Sequence, residues 1–405
     1  MAEPSSEGPT TSDARWAVFG RAVLLVATAV FVCVDATMGA HSDDVQFLEQ
    51  ARHSSYAELF TQPFFGTFYR PVVVVIMKAL GGLSADPVAP VRWLHAALVA
   101  TCVAVAQTSL RARTSALATS AAALCLLGSP FTFVSATPFV VGLSDLIVAL
   151  AFLLSVPLCR LDRRIGTPLG LLALATVAMF SKESGLLVAL YGVVDGARRK
   201  RYGTSVLLAA AAIGFVVLRA RVVPATSFTF DSGFLFAYLD VRQLHARFDA
   251  SPYGFYVYNV AANLLACLTS EPDRGYLEAS SLDLVRIPIF VATSAFIGRF
   301  LATSAAARRE HLPLVAVVLG NAALGFLYVR PRIMFTAALA IAWLLALAID
   351  DALRTGDPIA RTTPRTLAIG FLLVWTGMTI GTLTRLPAQA AEARVDVAAA
   401  TTRSR

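Results

Sequence analysis

The chain has 405 residues, 57% of them apolar and only 15% charged, with 34 Lys+Arg against 26 Asp+Glu for a formal charge of +8. Soluble domains carry roughly 25% charged residues, so the composition excludes disordered, collagenous and disulfide-scaffold classes and predicts an all-α, polytopic transmembrane helix bundle. In a membrane protein an arginine excess marks cytoplasmic loops, so no nucleic-acid partner is expected.

Residues 1–16 are polar and rich in Pro, Ser, Gly and Thr, which predicts a disordered cytoplasmic tail. The first apolar run, 17–38, is too long for a signal-peptide core and reads as an uncleaved span. Further runs follow at 91–110, 115–133, 139–158, 167–181, 184–197, 204–222, 287–305, 311–329, 331–350 and 366–384, about eleven spans in all. Basic clusters at Arg111/Arg113, Arg160/Arg163/Arg164, Arg198–Arg201, Arg308/Arg309 and Arg354/Arg361/Arg365 assign those loops to the cytoplasm. The segments 39–90 and 223–286 then lie outside, and their short apolar runs 70–83 and 253–269 become interfacial helices. Residues 17–384 form one transmembrane domain, and 385–405 is a flexible tail. The implied location is the plasma (inner) membrane, multi-pass, with the N-terminus cytoplasmic and membrane lipids as the surroundings.

The polar residues that interrupt this pattern gather on the outer side. Asp43 and Asp44 follow the first span, where a desolvated carboxylate suits general-base work. On the pair alone, capping of the helix-like stretch that begins at Val45 by Ser42 and Asp43 is the stronger reading. Arg70 precedes Pro71, a residue suited to a first helical turn, so its guanidinium and the helix N-terminus together favour an anion; a snorkelling interfacial Arg is the alternative. Lys182 and Glu183 break an apolar stretch at the boundary, where unpaired charge is costly. Ser181 is placed to cap the helix after them. Arg330 and Arg332 flank Pro331 in a short turn, at the right level for a lipid-linked phosphate or a phospholipid headgroup. Tyr256, Asn259 and Asn263 share helical spacing and precede Glu271, so this stretch is either a sugar or acceptor contact or an interfacial belt. With Tyr69, Asp145 and Glu183 they make the candidate substrate-binding set. Cys33, Cys102, Cys125, Cys159 and Cys267 lie in or beside apolar runs without a CxxC, and no two histidines show ligand spacing, so no metal site is expected. A need for a free divalent cation stays open, and no other cofactor is indicated.

Taken in order, these segments resemble the GT-C superfamily of integral-membrane glycosyltransferases, in particular the protein O-mannosyltransferases and the tetratricopeptide-containing O-mannosyltransferases. The resemblance rests on Asp43-Asp44, FYRPVVVVI at 68–76, GSPFTFVSATPFVVGLSDL at 128–146, FSKESGLLVALYG at 180–192 and VYNVAANLLACLTSEPDRG at 257–275. It covers most of 17–350 as short motifs. It implies an inverting transfer of a sugar from a polyprenyl-phosphate donor to a hydroxyl of a glycan, lipid or protein acceptor on the outer face. Asp43 or Asp44 is then the catalytic carboxylate, and Arg70, Lys182, Arg330 and Arg332 hold the donor phosphate. The sequence departs from the family in lacking its paired-histidine pattern, with only His95 after Trp93. The competing classes are a lipid or polysaccharide flippase, which needs polar residues through the bilayer depth, and an inactive scaffold of the same fold.

Overall fold

The computed structural model describes residues 11–37, 42–63, 68–128, 142–161, 165–223, 286–303, 305–325 and 334–354, with scattered positions between 254 and 264 and between 366 and 384. The described elements are helices throughout: α1 (Thr11–Thr37), α2 (Ser42–His53), α3 (Tyr56–Thr61), α4 (Pro71–Gly81), α5 (Val88–Arg111), α6 (Ala116–Gly128), α7 (Leu143–Leu158), α8 (Gly166–Ser181), α9 (Leu186–Arg198), α10 (Tyr202–Val222), α11 (Arg286–Thr303), α12 (Ala305–Leu324) and α13 (Phe335–Arg354). Four of them, α1, α5, α10 and α13, contain stretches long and apolar enough to cross a membrane. Others are apolar but shorter, including α6, α7 and α8. The chain is a multi-pass membrane protein.

Burial sorts the helices by depth. Nearly every side chain of α13 from Phe335 to Asp350 is buried, as expected for a helix apolar all round at the centre of a bundle. It packs against α6, α11 and α12. In contrast, α10 leaves Val206, Ile213, Val216 and Val217 exposed, and α1 leaves Val18, Leu25 and Val26 exposed. Such stripes are intolerable in water and are the surface a bilayer covers. Between these extremes α1 packs on α5 and α6, α5 on α7, α7 on α8, and α9 on α10 and α12.

Turn chemistry explains the breaks. Between α9 and α10 the chain reverses through Lys200 at φ 58, and the Arg201 N–H donates back to the Gly196 carbonyl at 2.7 Å, the closure that lets a helix end in a left-handed residue. Pro71 occupies the first position of α4, where its missing N–H costs nothing. The capping box of α3 pairs Ser55 with Glu58 in both directions, and these bonds hold the exposed Glu58 carboxyl below its ordinary range.

The segment between α1 and α5 is a small packed unit. Phe47, Leu48, Ala51, Leu59, Val73, Val74 and Met77 form a second core with Val91 of α5 and Leu143 of α7. At 11 residues α4 is about 16 Å long, too short to cross a bilayer. Its Val73, Val74 and Met77 face that core, so it is held by packing on α2, α5 and α8. Lys78 donates to the carbonyls of Ala51 and Arg52 at 3.1 and 3.0 Å, satisfying the end of α2.

Candidate active site

The end of α1 meets the start of α5, and the end of α8 meets the start of α7. The ion pairs among the described residues fall at the two ends of the bundle. One end holds the pairs of Asp195 with Arg198 and Arg199, of Arg160 with Glu310, and of Asp350 with Arg354. The other end, where α2, α3 and α4 sit, holds the residues considered next.

Asp44 lies in the first turn of α2 and is wholly buried. Its carboxylate stands 3.9 Å from Arg92 of α5. Arg92 also contacts Asp35, near the end of α1, at 3.3 Å, and Asp35 takes a 2.6 Å contact from His95 Nδ1. All four side chains have no solvent exposure. The helix begins at Ser42, so Ser42 and Asp43 are inside it rather than before it, which differs from the capping position expected from sequence. The side chain of Asp43 lies outside the described residues.

A chain of contacts leads from Asp44 to the cationic residues. Phe47, one turn along α2, has its ring 6.2 Å from that of Phe68. The Arg70 guanidinium lies over the Phe68 ring at 4.7 Å. Arg70 is the N-cap of α4, and its Nε is buried with no hydrogen-bond partner among the described residues. Arg70 and Arg219, at the end of α10, approach the Glu183 carboxylate at 3.5 and 3.3 Å. Glu183 sits in the turn between α8 and α9. Burial pushes its carboxyl up, but Arg70, Arg219, its own backbone N–H and Lys182 together outweigh burial and hold it below the ordinary carboxylate range.

Lys182 immediately precedes Glu183. It is extended, follows the last turn of α8, and places its ammonium 2.5 Å from Asp145 in the first turn of α7. Ser181 does not cap α9, as the sequence suggested; its hydroxyl donates to the Val177 carbonyl within α8. Gly185 allows this turn. A Cβ there would lie 2.1 Å from the Ala178 backbone carbon, so only glycine fits the approach.

The other expected contacts divide. Tyr69 is buried, its hydroxyl donates to the Phe60 carbonyl at 2.9 Å, and its ring rests near Phe180 and Phe215. Burial raises its hydroxyl pKa, and its observed contacts brace the α3–α4 unit on α8 and α10. Asn259 and Asn263 are buried, and the Asn263 amide donates to the Gly325 carbonyl at 2.8 Å. Tyr256, Glu271, Arg330 and Arg332 lie outside the described residues. Among the described residues no group of three His, Cys, Asp or Glu side chains is placed to hold a metal ion.

The sequence does not single out Asp35, Arg92 or Arg219 as site residues, and it marks His95 only as the histidine after Trp93. The signal for the first two was present: each is a charge inside an apolar run, a costly position that demands a partner.

No protein-family model matches the chain, and no curated protein sequence does. Among solved structures it is similar to the cryo-EM structure of the arabinosyltransferase EmbB from Mycobacterium smegmatis, at 16% identity and a TM-score of 0.38. That alignment covers 92% of this chain and 41% of the other, so the chain spans less than half the length of that neighbour. Likeness at this level says nothing of this chain's substrates, and the functional reading rests on its own residues.

Proposed function

We propose that this chain is an inverting glycosyltransferase that moves a sugar from a polyprenyl-phosphate donor to an acceptor hydroxyl on the outer face of the plasma membrane. The observation that carries the reading is the gathering of Asp44, Arg70, Lys182 and Arg219 at one end of a membrane-spanning bundle, linked through α2 and α4. A carboxylate for an incoming hydroxyl and cations for a departing phosphate are the two requirements of this chemistry.

In the proposed step Asp44 or Asp43 takes the proton of the acceptor hydroxyl. The acceptor oxygen forms a bond to the anomeric carbon while the bond from that carbon to the phosphate oxygen breaks on the opposite face. The electron pair leaves with polyprenyl phosphate, and the anomeric configuration inverts. Arg70, Arg219 and Lys182 offset the charge that develops on the phosphate, with Arg330 and Arg332 as further candidates. Glu183 and Asp145 occupy the cations until the donor arrives. Asn259, Asn263, Tyr256, Glu271 and Tyr69 remain candidate contacts for sugar or acceptor, which is a glycan, a lipid or a protein. No bound cofactor is invoked, and chelation tests whether a divalent ion is needed.

The flippase reading is weakened by the placement of charge. The described ion pairs cluster at the two ends of the bundle instead of lining a path through it. The scaffold reading makes a separate prediction, because substitution of the carboxylates then changes nothing. The test is transfer of radiolabelled sugar from a panel of polyprenyl-phosphate donors to membrane lipids and proteins. Wild type is compared with folded Asp43→Asn and Asp44→Asn. Transfer that collapses in one variant supports the enzyme and names its carboxylate. No transfer from any donor, or transfer indifferent to both changes, refutes it.

A further inference from the structure

We propose that Asp35, Arg92 and His95 are positioning residues that set the place and orientation of Asp44 for the reaction. This inference rests on the glycosyltransferase reading above and goes beyond it by assigning three residues of the spanning helices to the reaction.

The geometry separates this cluster from an ordinary helix–helix tie. Asp35 is wholly buried near the end of α1 and is shared by two partners, His95 Nδ1 at 2.6 Å and Arg92 at 3.3 Å. These come from adjacent turns of one face of α5, so Asp35 fixes the ring and the guanidinium together. Arg92 then presents its second terminal nitrogen toward Asp44 at 3.9 Å. That distance is electrostatic attraction rather than a hydrogen bond, so Arg92 draws the carboxylate inward without clamping it. The outcome is a linear order, His95 to Asp35 to Arg92 to Asp44, running from the spans into the first turn of α2.

The second observation is His95 Nε2. The ring is wholly buried and this nitrogen has no hydrogen-bond partner among the described residues. A buried polar atom without a partner destabilises the fold, and a tie that only held α1 to α5 is made at lower cost by apolar side chains. With Nδ1 committed to Asp35, Nε2 is the polar atom of the ring left over for another role. An imidazole oriented by a carboxylate through Nδ1 recurs where a ring must be held in one tautomer and one orientation. Here the same carboxylate orients the guanidinium that faces Asp44.

The experiment uses the full chain in detergent or nanodiscs, with turnover and KM for donor and acceptor measured for each variant that unfolds at the wild-type temperature. Asp35→Asn keeps the shape and removes the charge; His95→Gln keeps a polar group and removes the ring. Each is expected to lower kcat by about 10- to 100-fold while leaving both KM values near wild type, the signature of a misplaced reacting group. The double variant Asp35→Asn/His95→Gln is expected to be no worse than the poorer single, because the two act as one unit. In the Asp44→Asn background neither change is expected to lower the residual rate further.

If Asp35→Asn does not fold, His95→Gln and Arg92→Lys carry the test. Arg92→Lys keeps the charge, loses the fork that reaches two carboxylates, and is expected to retain only part of the turnover. Wild-type kcat in folded Asp35→Asn and His95→Gln overturns the proposal while transfer by wild type leaves the glycosyltransferase reading standing. A loss confined to the yield of folded protein, or to KM, also overturns it. Absence of transfer by wild type removes both readings together.

Discussion

Gly185→Ala is a single methyl aimed at the turn that delivers both Lys182 and Glu183. Gly185 has φ −60 and ψ −20, a conformation open to any residue, so space alone decides the outcome. The added Cβ would lie 2.1 Å from the Ala178 carbonyl carbon, 2.3 Å from its oxygen and 2.3 Å from the Met179 nitrogen. Carbon atoms rest at about 3.5 to 4 Å, so a gap of roughly 1.4 Å must open between the end of α8 and the turn. The atoms in the way are backbone and cannot rotate aside. Overpacking of this kind costs about 1–3 kcal/mol or more. The displacement also carries Lys182 away from Asp145, and Glu183 away from Arg70 and Arg219. A shift of about 1 Å in a reacting group lowers turnover by about 100-fold. The assay is sugar transfer by purified protein beside thermal unfolding in the same detergent. Gly203→Ala, in the first turn of α10, has nothing within 4 Å of its Cβ and serves as control. It should be neutral, or stabilising by up to about 1 kcal/mol. Wild-type turnover and unfolding temperature in Gly185→Ala would refute the idea that this turn is held rigidly.

Asp145→Asn leaves the Lys182 ammonium buried without its carboxylate and should destabilise the protein by about 3–5 kcal/mol, read as a lower unfolding temperature. The paired change Asp145→Leu/Lys182→Met should recover much of that stability and still transfer no sugar. At the opposite end, Asp350 accepts from the Ser115 N–H at 2.6 Å and pairs with Arg354 at 2.8 Å. Asp350→Ala should cost about 1–2 kcal/mol and leave turnover per folded molecule unchanged. Glu183 has a folded pKa below its reference value of 4.5, so its ion pairs contribute stability that is full above that pH and lost as pH falls through the folded value. Unfolding curves of wild type and Glu183→Gln should therefore differ at neutral pH and converge below pH 4.5, and a constant difference across that range would refute the assignment.

The spans were legible because lipid demands a local signal. The run predicted at 204–222 is α10, Tyr202–Val222, and that at 167–181 is α8, Gly166–Ser181. Predicted ends slipped where a helix outlasts its apolar stretch. The run 311–329 corresponds to α12, which starts at Ala305 because Arg308, Arg309 and Glu310 continue the helix in polar form. Arg70 beside a helix beginning at Pro71 was also readable, since proline marks that position locally. The partners of the charges were not. Asp35 meets Arg92 and His95 across 57 and 60 residues, and Lys182 meets Asp145 across 37. Periodicity reports which side of a helix is apolar, and it carries no record of which distant helix supplies a counter-charge. Asp35 and Arg92 therefore carry no mark in the sequence beyond being charges within the runs 17–38 and 91–110.

The Asp35–Arg92 contact also constrains how the chain is made. Synthesis delivers α1 to the membrane well before α5, and each helix carries a charge near one end, where the cost in hydrocarbon is below the roughly 2.5–3.5 kcal/mol of mid-depth. Until α5 arrives, Asp35 has neither Arg92 nor His95. The end of the first helix that carries Asp35 is therefore expected to stay at the lipid–water boundary until the second long span emerges. A nascent chain arrested before Val88 should leave residue 35 open to a water-soluble thiol reagent in an Asp35→Cys variant, and one arrested after Arg111 should protect it.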